Sequence, residues 1–254
     1  MEAVTYERRG AAAIVTIDRQ ERRNAIDGPT AELLAEAYDR FEADDEARVL
    51  VLTGAGGVSF CAGADLKAIE SFASRMDDPR GPLGITRVIA SKPTIAAISG
   101  WCLAGGLELA LWCDLRIATG ESRLGFPERR WGVPLLDGGT QRMPRVIGLG
   151  RALDLILTGR IIDAEEAHAI GLVTEIVPSG RHLERALEMA EALARFPQDT
   201  MLADRLAAIE GIGLSFEEGL RREARNGLPT QGTAWRGAAR FAAGEGRGGA
   251  GAGV

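Results

Sequence analysis

Short apolar runs, separated by glycine and proline, punctuate the first half of the chain. Residues 4–7 and 12–17 lie on either side of Arg9-Gly10 and predict a hairpin. Asp27 stands where an N-cap belongs, ahead of Leu33, Leu34, Ala37, Tyr38 and Phe41 at helical spacing. Residues 49–52 are continuously apolar, as a buried strand requires, and Gly54-Ala55-Gly56-Gly57 ends the run. A tight turn over residues 60–67 opens a further helix after Ala64. That helix gives way to residues 75–84, whose polar, Pro- and Gly-rich composition predicts a mobile loop.

The pattern then repeats. Lys92-Pro93 leads into a strand over 94–99, the Gly105-Gly106 turn, a helix through Glu108 and a strand over 115–119. Two rounds of strand, glycine turn, helix and strand point to a repeated β-β-α unit. Beyond Gly138 helices dominate. One covers 149–158, and another covers 164–170 between the N-cap Asp163 and the stop at Gly171. A strand over 172–177 follows, then helix past Pro178, with Ser215-Phe216-Glu217-Glu218 as a capping box. Residues 244–254 are nearly all Gly and Ala and predict a disordered tail. The domain plan is a core over 1–195, a helical region over 196–243, and that tail.

With 254 residues, 46% of them hydrophobic and 26% charged, the chain can bury a substantial core. A net charge of −6 argues against nucleic acid or an anionic membrane as the main partner. No apolar run approaches a membrane span, and the N-terminus shows no basic-then-apolar leader, so a cytoplasmic location is expected. Cys61, Cys102 and Cys113 form no CxxC pair and read as buried reduced thiols. Two histidines and no ligand spacing predict no metal site.

The candidate chemistry lies in two glutamates. Glu108 follows Gly105-Gly106 into an apolar helix, and Glu128 follows Phe126-Pro127 among hydrophobic neighbours. Two carboxylates in apolar surroundings can be held at different pKa values, one to give a proton and one to take it. Glycine-rich turns at helix starts leave backbone N–H groups free to meet a developing negative charge. Taken singly, each has a plainer reading. Glu108 suits the helix dipole, Glu128 suits a loop ion pair with Arg129 or Arg130, and Trp101 and Trp131 suit the core. His168 and His182 read as structural. Gly54-Ala55-Gly56-Gly57 is an incomplete dinucleotide fingerprint, and no GxSxG elbow is present.

Six motifs in order resemble the crotonase (enoyl-CoA hydratase/isomerase) family over most of the chain. They are Arg22-Arg23-Asn24-Ala25-Ile26, Phe60-Cys61-Ala62-Gly63-Ala64-Asp65-Leu66-Lys67, Ala104-Gly105-Gly106-Leu107-Glu108-Leu109-Ala110, Cys113-Asp114, Phe126-Pro127-Glu128 and Gly138-Gly139-Thr140-Gln141-Arg142. The resemblance implies an α/β fold, a spiral of β-β-α units with a C-terminal helical trimerisation region, as a homotrimer or homohexamer. It implies an enoyl-CoA hydratase of fatty acid metabolism, a lyase that adds water syn to a trans-2-enoyl-CoA and yields a 3-hydroxyacyl-CoA.

By the same resemblance Ala64 and Gly105 supply the oxyanion-hole amides. Glu108 takes a proton from the water and Glu128 gives one to the α-carbon. Arg23, Ala25, Ala62, Asp65, Leu66, Lys67, Trp131 and Phe241 are the expected substrate and CoA contacts. No cofactor is implied beyond the coenzyme A carried by the substrate. Where the family often has Arg-Pro-Lys ahead of Asn-Ala, this chain has Arg19-Gln20-Glu21-Arg22-Arg23, so Arg22 or Arg23 replaces the lysine. Some isomerases carry an aspartate four residues after the glycine matching Gly132. Here that slot is Leu136, and the carboxylate is Asp137. Double-bond isomerisation on the same scaffold stays open, as does a non-catalytic acyl-CoA- or RNA-binding homologue. The complete glutamate pair argues against a pure acyl-CoA binder, and the acidic charge argues against RNA.

Overall fold

The computed structural model describes residues 2–245. It divides into two compact units, one ending at Glu191 and the other beginning at Ala192. The expected disordered tail lies outside the described residues except for Gly244 and Glu245, which sit in a turn.

In the first unit β1 (Val4–Arg9) and β2 (Ala12–Ile17) form the expected hairpin. Helix α1 (Gly28–Ala43) starts at Asp27, whose side chain accepts from the Thr30 N–H at 2.9 Å. It buries Leu34, Ala37 and Phe41. β2 pairs in parallel with β3 (Val49–Gly54), which is buried along its whole length, as a strand inside a parallel sheet must be.

From β3 the chain makes three turns of one unit. β3 leads to β4 (Ser59–Cys61) and a 3₁₀ segment, Leu66–Phe72. β5 (Thr94–Ile98) leads to β6 (Trp101–Leu103) and helix α2 (Gly105–Trp112). β7 (Leu115–Thr119) leads to β8 (Arg123–Gly125) and a 3₁₀ turn, Pro127–Trp131. Helices α3 (Gly139–Ile147) and α4 (Leu149–Thr158) follow, then β9 (Ile161–Asp163), helix α5 (Ala164–Ala169) and β10 (Glu175–Val177). One sheet has the order β1-β2-β3-β5-β7-β10 and the other β4-β6-β8-β9. The sequence pattern shows only two of the three turns, because β4, β6 and β8 are three residues each, too short to display a period.

Two further expectations are corrected. The segment after Ala64 is 3₁₀ and breaks at Ala68 (φ −118°, ψ 27°). Residues 75–84 form a loop that is packed at Arg75 and over 81–84 and exposed at Met76, Asp77 and Pro79; the Arg75 guanidinium holds the Pro82 carbonyl at 3.1 Å and the Asp78 carboxylate at 3.0 Å.

β4, β6 and β8 run parallel, with Cys61 opposite Cys102 and Leu103 opposite Gly125. Their C-terminal ends therefore share one edge, and the turns that leave them lie side by side. This is where a parallel sheet offers backbone groups to a ligand.

Helix α6 (His182–Ala194) runs across the division between the units. The second unit continues with α7 (Gln198–Glu210), α8 (Phe216–Gly227) and α9 (Gln231–Ala242). The capping box forms as expected, with Ser215 and Glu218 satisfying each other's backbone N–H. Among the described residues no helix is long and apolar enough to cross a membrane.

Candidate functional site

The first two turns on that edge touch. Gly63 follows β4 with φ 91°, and a Cβ placed there would stand 2.8 Å from the Gly105 nitrogen. Only glycine allows both the positive φ and the close approach. Ala104, after β6, takes φ 53° and ψ −127°, a conformation that costs a side-chain-bearing residue about 1–3 kcal/mol. Helix α2 begins at the next residue. Among the described residues no carbonyl accepts from the N–H of Ala64 or Gly105. A Cβ built on Gly105 falls 3.6 Å from the Ala64 nitrogen, so the two amides are neighbours at one spot. Paired, fixed N–H donors of this kind stabilise an oxyanion.

The Asn-Ala motif braces this turn from behind. Asn24 Nδ2 donates to the Ser59 carbonyl at 2.6 Å and the Ala55 carbonyl at 3.0 Å. The Ile26 N–H donates to the Gly63 carbonyl at 2.8 Å, and the Asp65 N–H to the Ile26 carbonyl at 2.6 Å. Arg19 completes the brace, bonding the Ala25 carbonyl and pairing with Asp27 at 2.7 Å and Asp65 at 3.3 Å. Asp65 Oδ1 also accepts from the Lys67 N–H at 3.1 Å. The Asp65 side chain is thus tied into this scaffold.

Glu108 sits in the first turn of α2 with 3% exposure. Its Oε1 accepts from the Gly139 N–H at 2.7 Å and the Asp137 N–H at 3.0 Å, which fixes the carboxyl plane. Burial raises its pKa to about 8. The two N–H donors oppose the rise, and the charges of Asp137 and Glu128 add to it. Glu128 has 7% exposure, and neither carboxyl oxygen has a hydrogen-bond partner among the described residues. Burial raises it to about 7, opposed by the dipole of its own nearby backbone N–H, which makes no hydrogen bond to it, and by the charge of Arg129. A buried carboxyl without partners is costly, and such cost is kept where a site needs it. Asp137, also buried and raised by burial, accepts through Oδ1 from the Leu83 N–H at 3.0 Å and from the Thr86 hydroxyl.

These groups line one cavity of about 410 Å³. Of the residues expected at the site, Ala62, Ala64, Leu66, Gly105, Glu108, Glu128 and Trp131 line it. Arg23, Ala25, Asp65 and Lys67 do not. Arg23 and Lys67 lie on the surface, and Ala25 is buried in the brace. Phe241 belongs to the second unit and is exposed. Sequence reasoning tied the pocket's size to residues 75–84 without naming Met76, Pro82 and Leu83 there, and it missed Phe72 and the two amides that hold Glu108. The Gly138-Gly139 motif was the available signal for one of them, because a Cβ at Gly139 would meet Glu108 Cγ and Oε1 at 3.0 Å.

Known proteins resemble this chain in sequence and in fold. The profile of the enoyl-CoA hydratase/isomerase family matches residues 7–213. A short-chain-enoyl-CoA hydratase of Clostridium acetobutylicum is 38% identical over 194 residues, 75% of this chain and 74% of that one. An (E)-benzylidenesuccinyl-CoA hydratase of Thauera aromatica is 38% identical over 223 residues, 85% and 86% of the two chains. The crystal structure of an enoyl-CoA hydratase from Mycobacterium marinum superposes with a TM-score of 0.88 at 37% identity, covering 94% and 95%.

Proposed function

The chain belongs to the enoyl-CoA hydratase/isomerase family, and from that premise we propose that its cavity hydrates trans-2-enoyl-CoA thioesters to 3-hydroxyacyl-CoA. The observation that carries this reading is a pair of buried, near-neutral carboxyls beside two unpaired amides. The thioester oxygen accepts from the N–H groups of Ala64 and Gly105. Water's oxygen bonds to C3, its proton passes to Glu108, and the C2–C3 π electrons shift into an enolate held by the amides. Glu128 then delivers its proton to the α-carbon, so the pair ends with the one proton it began with. Glu108 holds a resting proton more tightly than Glu128, the reverse of these roles. The difference between about 8 and about 7 is only tenfold, about 1.4 kcal/mol. The reaction so written needs no added cofactor or metal. Crotonyl-CoA consumption at the conjugated-thioester absorbance, with product mass, tests it.

A singly protonated pair gives a definite pH dependence. Below about pH 7 both carboxyls are protonated and no base remains; above about 8 both are ionised and no acid remains. kcat/KM for crotonyl-CoA is therefore expected to be bell-shaped with its maximum between those values, the limbs belonging to the pair. A profile flat from pH 5 to 9 would show that the pair does not set the rate.

Isomerisation is the second reading, and Asp137 in the cavity is the observation that raises it. Its Oδ1 is committed to the Leu83 N–H and the Thr86 hydroxyl, which favours hydration by the glutamate pair. The name of one relative specifies a short chain and that of another an aryl-substituted one, so family membership leaves this chain's acyl group open. We place the enzyme in the cytoplasm and in fatty acid metabolism.

We also propose a homotrimer or homohexamer, in which a neighbour's Phe241 helps cover the bound CoA. In the second unit Phe216 (84%), Trp235 (72%) and Phe241 (65%) stand exposed, an apolar load that favours burial against another copy. Sedimentation at micromolar concentration is expected to give a trimer or larger; a stable monomer refutes the proposal.

A further inference from the structure

The cavity holds more room than the smallest substrate needs. At roughly 30 Å³ per non-hydrogen atom, the share of one water in the liquid, a crotonyl group with its thioester sulfur fills less than half of about 410 Å³. An eight-carbon enoyl group with the same sulfur fills about three quarters. Beyond the carboxyls the walls are hydrocarbon. Phe72 and Leu83 are nearly fully buried, while Leu66 (44%), Ile69 (48%) and Met76 (44%) are half-exposed apolar side chains. Leu83 Cδ1 lies only 2.8 Å from where a Gly105 Cβ would stand, so this wall begins beside the amides that take the thioester oxygen. Its backbone is tied to Asp137 through the Leu83 N–H. The ionisable side chains of the lining are three carboxyls, Glu108, Glu128 and Asp137, and no Lys or Arg is among the lining residues.

We propose that the site selects medium-chain hydrocarbon enoyl thioesters, of about eight carbons, over the four-carbon thioester, with Ile69 and Met76 as specificity-determining side chains, and that it rejects acyl chains ending in a carboxylate. This rests on the hydratase reading above. A chain running past C4 covers Ile69 and Met76, which otherwise leave apolar surface in water. Each fully buried methylene is worth about fourfold in affinity or kcat/KM. Four more methylenes therefore approach a few hundredfold if wholly buried, and tens of fold at a half-open rim. A terminal carboxylate would enter a lining that already holds three acids and no cation, and would lose hydration without gaining a countercharge.

The test is a series of trans-2-enoyl-CoA thioesters with 4, 6, 8 and 10 carbons, plus a 2-enoyl-CoA bearing a terminal carboxylate. kcat/KM is expected to rise at least tenfold from four to eight carbons, with the carboxylated thioester below crotonyl-CoA. Met76→Asp, at a half-exposed position that tolerates a polar side chain, should lower the eight- to four-carbon ratio at least tenfold, and Met76→Leu should restore it. A profile that is flat or highest at four carbons overturns the proposal, as does an unchanged ratio in Met76→Asp. Calorimetric Kd values for octanoyl-CoA and butyryl-CoA separate the two readings. If nothing is hydrated yet octanoyl-CoA binds at least tenfold tighter, the hydratase reading falls and the chain-length inference stands. Equal affinities overturn the inference whatever the turnover.

Discussion

Glu108→Gln is expected to cut crotonyl-CoA hydration about 10²–10⁴-fold, and Glu128→Gln by a similar factor, because each removes one partner of an acid–base exchange. The structure makes both substitutions clean. Glutamine at 108 keeps an Oε1 that accepts from the Gly139 and Asp137 N–H groups, so the helix start and the α3 entry stay tied. Glu128 has no hydrogen-bond partner to lose. Neither change leaves a buried charge unpaired, so both variants should fold and still bind the thioester. The double variant should be scarcely slower than either single one, since in hydration the two carboxyls act as one unit, one taking the water's proton while the other supplies the α-carbon's. An isomerase with one shuttling base would suffer at one position and tolerate the other. A binder would show no turnover to lose. Near-normal hydration by Glu128→Gln would mean that Glu128 is only a buried loop carboxylate and that the two-glutamate mechanism is wrong.

What could be read from the sequence follows from the range of the interactions. Asp27 and the Ser215–Glu218 box were legible because a cap is satisfied within three residues. Glu108 and Glu128 were legible as candidates because glycine and proline beside them mark turns. Their anchoring was not, since Glu108 is held by backbone groups 29 and 31 residues downstream. The third turn of the spiral was hidden by strands of three residues, whose pairing depends on neighbours far along the chain. Residues 75–84 misled for a different reason. Their polar composition suggested exposure, yet Arg75 is buried by carbonyl and carboxylate partners, and Leu83 is drawn in by Asp137. Asp65 shows the same limit at the site itself. Its place in the motif marks it as a site candidate, while its tie to Arg19, 46 residues upstream, comes only from the fold.

Gly105→Pro should lower kcat roughly 10²–10³-fold by deleting one amide donor, about 2.7–4 kcal/mol of transition-state stabilisation. The position suits the experiment. Gly105 is the first residue of α2, where the N–H has no intrahelical acceptor and helices in general tolerate proline. The new ring carbon at the Cβ position would crowd Leu83 Cδ1, at 2.8 Å, which is the movable end of a side chain. Gly105→Ala is the control, because it places the same Cβ against Leu83 and keeps the N–H. If the donor matters, the alanine variant loses far less turnover than the proline variant, and thermal denaturation shows both folded. The loss should fall mainly on kcat, since the negative charge that the amide meets develops only as the enolate forms. Equal losses in the two variants would assign the effect to crowding at Leu83. A folded Gly105→Pro protein with near-normal turnover would mean that the thioester oxygen is gripped elsewhere than between Ala64 and Gly105.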